Sequence, residues 1–237
     1  MSDHIFVTGD CHGENNIQKL SSRKWPEGKK LDREDYLIVA GDFGLLWSNN
    51  PKDKLEQHLK RWYSQEKPWT TLVVDGNHEN HKRLNALPTK EMFGGIVGVI
   101  HENIYHLRRG EVYIINGSKF FVMGGATSVD KIYRRIDISW WEEEIPNHSQ
   151  FDHGLDNLEK NNWQVDYVVT HTMPFDALFA FNFGMGDYKG LTTCSVSRYL
   201  NHVALNLKYK EWYFGHFHND INKGKFHLVY NNIIQIQ

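Results

Sequence analysis

The stretch "IFVTGDCHG", residues 5–13, joins a short run of strand-forming residues to a turn that carries a carboxylate and an imidazole. Its first three residues are of the β-branched and aromatic types that favour strands. In extended backbone, residues i and i+2 lie on the same side. The stretch therefore predicts that Asp10 and His12 face one way and Cys11 the other. Taken alone, it also fits a polar turn with a capping aspartate and an exposed histidine.

The same arrangement returns along the chain, because five later segments place a short apolar run before a turn. They are "YLIVAGDFG" (36–44), "TLVVDGNHE" (71–79), "FFVMGGATS" (120–128), "YVVTHTMP" (167–174) and "WYFGHFHND" (212–220). Continuous apolar runs of this length indicate strands buried on both faces. Each segment then presents Asp, Asn or His, except 120–128, which presents Gly-Gly and small hydroxyl residues.

Helical patterns separate several of these predicted strands. They cover residues 51–65, 148–162 and 192–203. In the first, Leu55, Leu59 and Trp62 fall on one face of the helix and charged residues on the other. Strand–helix alternation of this kind is typical of layered α/β proteins.

Two further regions predict consecutive strands instead. Residues 96–123 have turn sequences at "RRGE" and "NGS", and "KFHLVYNNIIQIQ" (225–237) has one at "NN", which predicts a C-terminal hairpin. The fold class is therefore α/β with a mixed sheet, or with two sheets packed face to face and helices outside. No Pro/Ser-rich linker divides the chain, so we expect a single domain over residues 1–237.

Composition narrows the function. The 237 residues carry 27 Lys+Arg against 29 Asp+Glu, a formal net charge of -2, and this gives no general signal for nucleic-acid binding. The N-terminus lacks the pattern of a secretory signal, and no apolar run approaches the roughly 20 residues that span a bilayer. Two cysteines provide no disulfide framework. We expect a cytoplasmic enzyme or binding protein without a membrane or nucleic-acid partner.

The polar residues at the strand ends form one candidate site, because sites in α/β sheets lie beyond the carboxyl ends of strands. They are Asp10, His12, Asp42, Asn77, His78, His171, His216 and His218. Each has a simpler explanation alone: Asn77 fits a turn and His171 fits a core histidine. Together they offer oxygen and imidazole without thiolate, which suits Mn²⁺, Fe or Zn²⁺.

These motifs, D-x-H-G, G-D, G-N-H-E, a histidine after a strand and G-H-x-H, occur in this order between residues 5 and 219. In that order they resemble the calcineurin-like metallophosphoesterase superfamily, and the segment 124–147 resembles its small bacterial and phage members. The resemblance implies a four-layer sandwich of two mixed β-sheets flanked by helices. It also implies a binuclear metal site between the sheet edges.

The resemblance further implies two ligand sets that share one carboxylate. One metal would be held by Asp10, His12, Asp42 and His218, and the other by Asp42, Asn77, His171 and His216. A bridging carboxylate fits electrostatically, because it neutralises charge shared by two cations. The implied cofactors are two divalent ions, Mn²⁺ first, with Fe and Zn²⁺ as alternatives. The implied reaction is in-line attack of a metal-bridging hydroxide on phosphorus.

His78 is the implied catalytic residue, as an acid to the leaving oxygen or as a phosphate ligand; the alternative is a supporting histidine. Relatives that resemble Ser/Thr protein phosphatases carry G-D-x-x-D-R-G in the second motif. Here "GDFGLLW" has Leu45 and Leu46 at the positions of the second Asp and the Arg. His78 therefore lacks its expected carboxylate partner, and this departure counts against protein phosphatase activity.

A replacement for the missing arginine is expected in "GGATSVDKIYRRID" (124–137). Lys131, Arg134 and Arg135 are the candidate substrate-binding residues, and a solvated basic turn is the alternative. The following Trp140 and Trp141 fit either stacking on a nucleobase or anchoring in the core.

The predicted function is hydrolysis of a small phosphoester, with a phosphodiester or small nucleotide favoured. The alternatives are a phosphomonoesterase, including one like Ser/Thr protein phosphatases, a catalytically inactive scaffold and a nuclease. A scaffold has no need to keep Asn77 or the bridging Asp42. A nuclease would gain support from a basic groove or a DNA-binding appendage, and the sequence indicates neither.

Overall fold

The computed structural model describes residues 4–181 and 194–236, which form two β-sheets and the helices that cover them. In chain order the strands are β1 (Ile5–Thr8), β2 (Tyr36–Ala40), β3 (Thr70–Val74), β4 (Thr89–Met92), β5 (Gly95–His101), β6 (Ile104–Leu107), β7 (Val112–Ile115), β8 (Ser118–Met123), β9 (Tyr167–Thr170), β10 (Glu211–Phe214), β11 (Ile221–Lys223), β12 (Phe226–Leu228) and β13 (Ile234–Gln235). The α-helices are α1 (Lys54–Arg61), α2 (His81–Asn85), α3 (His148–Lys160), α4 (Ala177–Phe181) and α5 (Ser195–Asn206).

Both sheets are mixed. The first has the order β13-β1-β2-β3-β6-β5-β4, and the second has the order β11-β12-β10-β9-β8-β7. In the first sheet β1, β2, β3 and β6 run parallel, and in the second β8, β9, β10 and β12 run parallel. The strands that deliver the candidate residues therefore end at one edge of each sheet, where the crevice of a mixed α/β fold lies.

The side chains of the central strands alternate between two hydrophobic layers. In β2, Ile38 and Ala40 face the second sheet, where they join Val122 and its neighbours in a core between the sheets. Leu37 and Val39 face the opposite way, into a cluster that also holds residues of α1. A third cluster packs the outer face of the second sheet against α3 and α5. The predicted four-layer sandwich is confirmed.

Of the three predicted turns, one closes a hairpin and two lead from one sheet to the other. The "NGS" turn is a hairpin, with Ile115 opposite Ser118 in antiparallel register. The "RRGE" turn at 108–111 is not a hairpin, because it leads from β6 in the first sheet to β7 in the second. Both edges of β6 are already occupied, one by β3 in parallel and the other by β5 in antiparallel register, so β7 cannot pair with it.

The predicted C-terminal hairpin at "NN" is wrong. Strand β12 belongs to the second sheet, whereas β13 pairs with β1 in the first. The carboxylate of Asp220 accepts hydrogen bonds from the backbone N–H groups of Tyr230, Asn231 and Asn232, at 2.8 to 3.0 Å. These bonds hold the segment as a crossover in place of a β-turn.

The three predicted helices are present, with shifted ends. The first becomes α1 followed by a five-residue π-helical segment, Trp62–Glu66. Its predicted buried face is half right: Leu59 is 2 % exposed, but Leu55 is 41 % exposed. A paired carboxylate, Glu56, is buried in its place and binds Arg83 and Lys60. The third predicted helix begins at Ser195 in α5, and its first two predicted positions, 192 and 193, lie outside the described residues.

Leu59 and Leu55 make a matched pair for testing this helix register. Leu59→Ala should lower the free energy of unfolding by about 2–5 kcal/mol, because it leaves a cavity in the layer between α1 and the first sheet. Leu55→Ala should change it by less than about 0.5 kcal/mol, because that side chain is largely exposed. Urea unfolding of both variants checks the prediction, and similar losses in the two would contradict the described register.

Candidate metal centre

The turns after the strands hold their polar residues in left-handed backbone. Five candidate ligands have positive φ angles: Asp10 (37°), His12 (46°), Asp42 (48°), His216 (72°) and His218 (49°). Non-glycine residues rarely adopt such angles, and they concentrate at functional sites. The prediction that Asp10 and His12 face the same way because they lie in extended backbone is therefore wrong in its reason, since β1 ends at Thr8, before both residues. The predicted opposite orientation of Cys11 still holds, because this residue is fully buried beneath the turn.

In the first group of candidate ligands, the ligand atoms lie close to one another. One ligand atom from each of Asp10, His12, Asp42 and His218 lies within 4.8 Å of the others. Nε2 of His12 lies 3.2 Å from Oδ2 of Asp42, and Nε2 of His218 lies 3.6 Å from Oδ1 of Asp10. These are the four residues that the family resemblance assigns to one metal.

The second group meets on the other oxygen of Asp42. Nε2 of His171 lies 3.3 Å from Oδ1 of Asp42 and 3.0 Å from Oδ1 of Asn77. Nδ1 of His171 lies 3.0 Å from the backbone carbonyl of Ala40, to which it can donate. That bond leaves Nε2 as the ligand atom, which is the usual arrangement around a bound metal. The ring of His216 lies 4.9 Å from that of His171.

The donor set fits divalent cations. Two oxygens and one ring nitrogen that crowd together at 3.0 to 3.3 Å need a proton or a cation between them. The backbone leaves room for these side chains and for little else. A Cβ atom at Gly41 would lie 1.9 Å from Nδ1 of His171, and one at Gly76 would lie 2.0 Å from Oδ1 of Asp42. Both glycines therefore cradle a candidate ligand.

The pKa values of the candidate ligands depend strongly on one another. Burial alone would lower the pKa of His171, but the carboxylates of Asp42 and Asp10 outweigh it and raise that pKa to about 10. Burial would raise the pKa of Asp42, yet His171 and His12 hold it well below its usual value. Burial raises the pKa of Asp10 to about 7. Cation binding and proton release are therefore coupled at this site.

His78 lies at the rim of the group, between the site and a tryptophan. Its backbone N–H donates to Oδ1 of Asp42 at 2.8 Å, and its ring stacks on Trp47 at a centroid distance of 5.8 Å. Its Nε2 lies 2.8 Å from Nη2 of Arg134, which donates to it. Burial, opposed by Asp42 and assisted by Arg134, lowers the pKa of His78 to about 4. The ring is therefore neutral.

The other candidates from the basic segment lie farther out. Lys131 and Arg135 are exposed, and the ammonium of Lys131 sits 5.8 Å from the ring of Trp140. Trp141 is fully buried and meets Trp47 edge-on at 5.3 Å, so it anchors the segment in the core and is not free to stack on a base.

Leu45 and Leu46, which occupy the positions of the missing Asp and Arg, are both buried in the layer between the first sheet and α1. The neighbouring backbone is held by Glu79, whose Oε1 accepts from the N–H groups of Phe43 at 2.7 Å and Gly44 at 3.3 Å. Glu79 therefore supports the turn that carries Asp42.

Sequence reasoning missed the residues that orient Asn77. Its Nδ2 donates to Oγ of Ser128 at 3.0 Å, which turns its Oδ1 toward His171. Ser128 is fixed in turn by Glu144, which accepts from its hydroxyl at 2.5 Å and from its backbone N–H at 2.9 Å. In the sequence, the serine hydroxyl of "GGATS" was the one signal for this contact, and nothing in "WWEEE" distinguished Glu144 from the two neighbouring glutamates.

Sequence reasoning also missed a lysine and a tyrosine behind the first group. The buried ammonium of Lys19 donates to the carbonyls of Gly9 and Tyr230 and lies 3.4 Å from the carbonyl of Asp10. The Tyr230 ring stacks on His218 with 4.8 Å between centroids. Both contacts fix the turns that carry the ligands.

A third missed feature is a buried ion pair beneath the Asn77 turn. The carboxylate of Asp75 accepts from Nε of Arg109 at 2.8 Å, from its Nη2 at 2.6 Å, and from Nε2 of His106 at 3.0 Å. Burial alone would raise the pKa of Asp75, but Arg109 and His106 outweigh burial and hold it well below its usual value.

Comparison with known protein families shows to which family the chain belongs. The model of the calcineurin-like phosphoesterase family matches residues 4–220. The chain belongs to this family. The resemblance expected from the motifs is confirmed, and the protein is a metal-dependent hydrolase of phosphate esters. No curated protein matches it. Within the described residues of this phosphoesterase, no helix has the length and apolar character needed to cross a membrane.

Arg109→Met should lower the free energy of unfolding at pH 8 by about 3–5 kcal/mol, because it leaves the buried Asp75 carboxylate without its cation. In the wild type the low pKa stabilises the fold at every pH above the unfolded value of about 3.9, and this is lost only as pH falls through the folded value. In the variant burial raises the pKa of Asp75, so the deficit should shrink from pH 8 to pH 5. Urea unfolding at both values measures it.

Arg108→Met is the matched control, because this neighbouring arginine is only half-buried and makes no ion pair among the described residues. It should change stability by less than about 0.5 kcal/mol at either pH. A deficit in Arg109→Met that is equal at pH 5 and pH 8 would contradict the assignment to Asp75.

Proposed function

We propose that this phosphoesterase holds two divalent cations and hydrolyses phosphodiesters or small nucleotides. One cation would bind to Asp10, His12, Asp42 and His218, and the other to Asp42, Asn77, His171 and His216. Mn²⁺ is the first choice because the ligands are oxygen and imidazole, and Fe and Zn²⁺ remain alternatives. A single domain over residues 1–237 in the reduced cytoplasm is part of the proposal, and the buried, unpaired state of Cys11 and Cys194 fits it.

The observation that carries the proposal is that the two carboxylate oxygens of Asp42 contact different ligand groups. Its Oδ2 lies 3.2 Å from Nε2 of His12, and its Oδ1 lies 3.3 Å from Nε2 of His171. Each oxygen therefore faces a different ligand group. A carboxylate divided in this way suits a bridge between two cations, whereas a single cation would leave one of the two groups unused.

The chain's own residues supply the remaining steps. When bound, the cations would supply an activated water and neutralise charge on the phosphoryl oxygens. Arg134 reaches the rim of the site and offers a guanidinium to a phosphoryl oxygen. His78 accepts from Arg134 and so holds the guanidinium in place. In this arrangement Nε2 of His78 has no proton to give, so we favour phosphate binding over the acid role.

The charge of the site supports a diester. Among the candidate side chains outside the ligand sets, Arg134 is the one that contacts the site, and His78 beside it is neutral. Beyond the cations and their ligands the site therefore offers the substrate one positive charge, and this favours a phosphodiester, with one negative charge, over a monoester, which carries close to two near neutral pH. Leu45 and Leu46 are apolar and buried, so the second motif adds no charge to compensate.

A substrate panel tests the proposal. The protein should be stripped with a chelator, reloaded with Mn²⁺ or Zn²⁺, and assayed on bis-p-nitrophenyl phosphate, nucleoside phosphodiesters, phosphomonoesters and a phosphopeptide. We expect the diesters to give the highest kcat/KM and the phosphopeptide the lowest. A phosphopeptide hydrolysed faster than every small ester would reject the proposed substrate class.

Metal content tests the bridge. The wild type should retain two ions per chain after reconstitution and gel filtration. Asp42→Asn should lose more metal and more activity than Asn77→Ala, because Asp42 is proposed to contact both ions and to supply charge, whereas Asn77 is one neutral ligand. Elemental analysis of both variants gives the answer. One ion per chain with full activity, or wild-type metal content in Asp42→Asn, would overturn the binuclear assignment.

Leaving-group dependence tests His78. If His78 and Arg134 bind phosphate, His78→Ala and Arg134→Met should each lower kcat/KM about tenfold or more on alkyl and nitrophenyl diesters alike. A general acid typically contributes ~10²–10⁴ in rate, and it matters most for a poor leaving group. A selective loss on alkyl esters in His78→Ala, with metal content unchanged, would therefore restore the acid role. Lys131→Met is the control and should change neither rate by more than about twofold.

A further inference from the structure

A cavity of about 270 Å³ opens beside the candidate metal centre. Its lining residues are His12, Gly13, Glu14, Asn15, Gly44, Trp47, Leu55 and His78. Two of these, His12 and His78, also belong to the centre. A group attached to phosphorus and directed toward these two histidines would therefore enter the cavity.

The floor of the cavity is rigid. The N–H of Gly13 donates to the carbonyl of Phe43 at 2.9 Å, and a Cβ atom at Gly44 would lie 2.6 Å from the nitrogen of Gly13. The two turns therefore pack backbone against backbone, with Glu79 bonded to the N–H of Gly44 from below. Such a surface is preformed and costs no ordering when a ligand binds.

The walls suit a flat apolar group. Trp47 is held on one side by the ring of His78 at 5.8 Å and at its edge by Trp141 at 5.3 Å. The cavity is also lined by the 41 % exposed side chain of Leu55 on α1. A leucine that the helix pattern places in the core thus lines a cavity next to the reaction centre. Fixed aromatic surfaces favour stacking with planar rings.

The rim determines the charge of the ligand. The cavity contains one carboxylate, Glu14, and one amide, Asn15, both exposed, and none of the described residues that line it is a lysine or an arginine. A second phosphate would be repelled by Glu14 and would find no cation there. Hydroxyl and amino donors, in contrast, would find an acceptor in either side chain.

We propose that this cavity binds the leaving group of the substrate, and that this group is a nucleoside. The inference rests on the proposed phosphodiester hydrolysis and specifies which ester bond breaks. Water forms the new P–O bond, the bond from phosphorus to the nucleoside oxygen breaks, and that oxygen leaves as a hydroxyl with a proton from the water. The products are a nucleoside and a phosphate monoester. At about 270 Å³ the cavity lies just below the range of ~300–1,000 Å³ typical of small-molecule pockets, which suits one nucleoside.

A mixed diester tests the inference directly. In adenosine 5′-(methyl phosphate) either alcohol can leave, and the two are of similar basicity. The wild type should release adenosine and methyl phosphate in at least tenfold excess over AMP and methanol, as measured by phosphorus NMR. Leu55→Arg, which fills the cavity from an exposed position, should reduce this ratio to about one to two.

His58→Arg is the matched control, because it adds the same side chain at another exposed position of α1 and should keep the wild-type ratio. Trp47→Leu should lower the ratio as Leu55→Arg does. A wild-type ratio near one, with bis-p-nitrophenyl phosphate still hydrolysed, would overturn the cavity assignment and leave the proposed function standing. Hydrolysis of neither ester by the reloaded wild type would reject the proposed function.

Binding of adenosine alone provides a second measure that does not depend on turnover. In saturation-transfer NMR with the metal-loaded protein, adenosine should receive signal from the wild type and from His58→Arg but not from Leu55→Arg. Glu14→Gln should weaken binding severalfold, whereas Glu159→Gln on the exposed face of α3 should not. Absence of adenosine binding to the wild type, or equal binding to Leu55→Arg, would contradict the inference.

Discussion

The carboxylate of Asp42, fully buried between two imidazoles, is the interaction on which the rest of the site depends. It follows β2 in the middle of the first sheet, whereas His171 follows β9 in the second. The contact between them therefore joins the two sheets at their carboxyl edges. The distance at which they meet is set by the packed core between the sheets, and a packed core does not deform continuously. This is why a fold of two mixed sheets can position candidate ligands from five separate strands within a few ångströms.

The buried charged and polar groups around the site are balanced by partners on the side of the ligand turns that faces away from the site. Asp75 and Arg109 form an ion pair beneath the Asn77 turn, and Lys19 places an ammonium against the carbonyls behind Asp10. Buried pairs of this kind contribute little net stability, but breaking one is costly, so they constrain the geometry. The left-handed turns that present the ligands are themselves strained, and they persist because such contacts over-determine them. Stability and ligand geometry are therefore two outcomes of the same network.

The sequence could predict the strands and the candidate ligands, because both are encoded in short, continuous segments of sequence. An apolar run followed at once by Gly and a polar residue identifies a strand and the turn that ends it. The crossovers at 108–111 and 231–232 could not be predicted, since they depend on which strand edges are already occupied and on a distant carboxylate, Asp220. The brace of Ser128 and Glu144 is likewise non-local. Leu55 illustrates the same limit, because helical periodicity reports an apolar residue but not whether it meets the core or a cavity.

The loss of the second-motif arginine has a structural consequence beyond the loss of charge. Leu45 and Leu46 bury that position in the core, so the positive charge enters instead from the segment that carries Arg134. That guanidinium is positioned by Asp130, at 2.8 Å, and by His78, not by the rigid end of a strand. Loops tolerate change better than the strands they connect. Arg134 thus belongs to a different part of the fold from the residues proposed to bind metal, and this contact to the substrate can change without disturbing them.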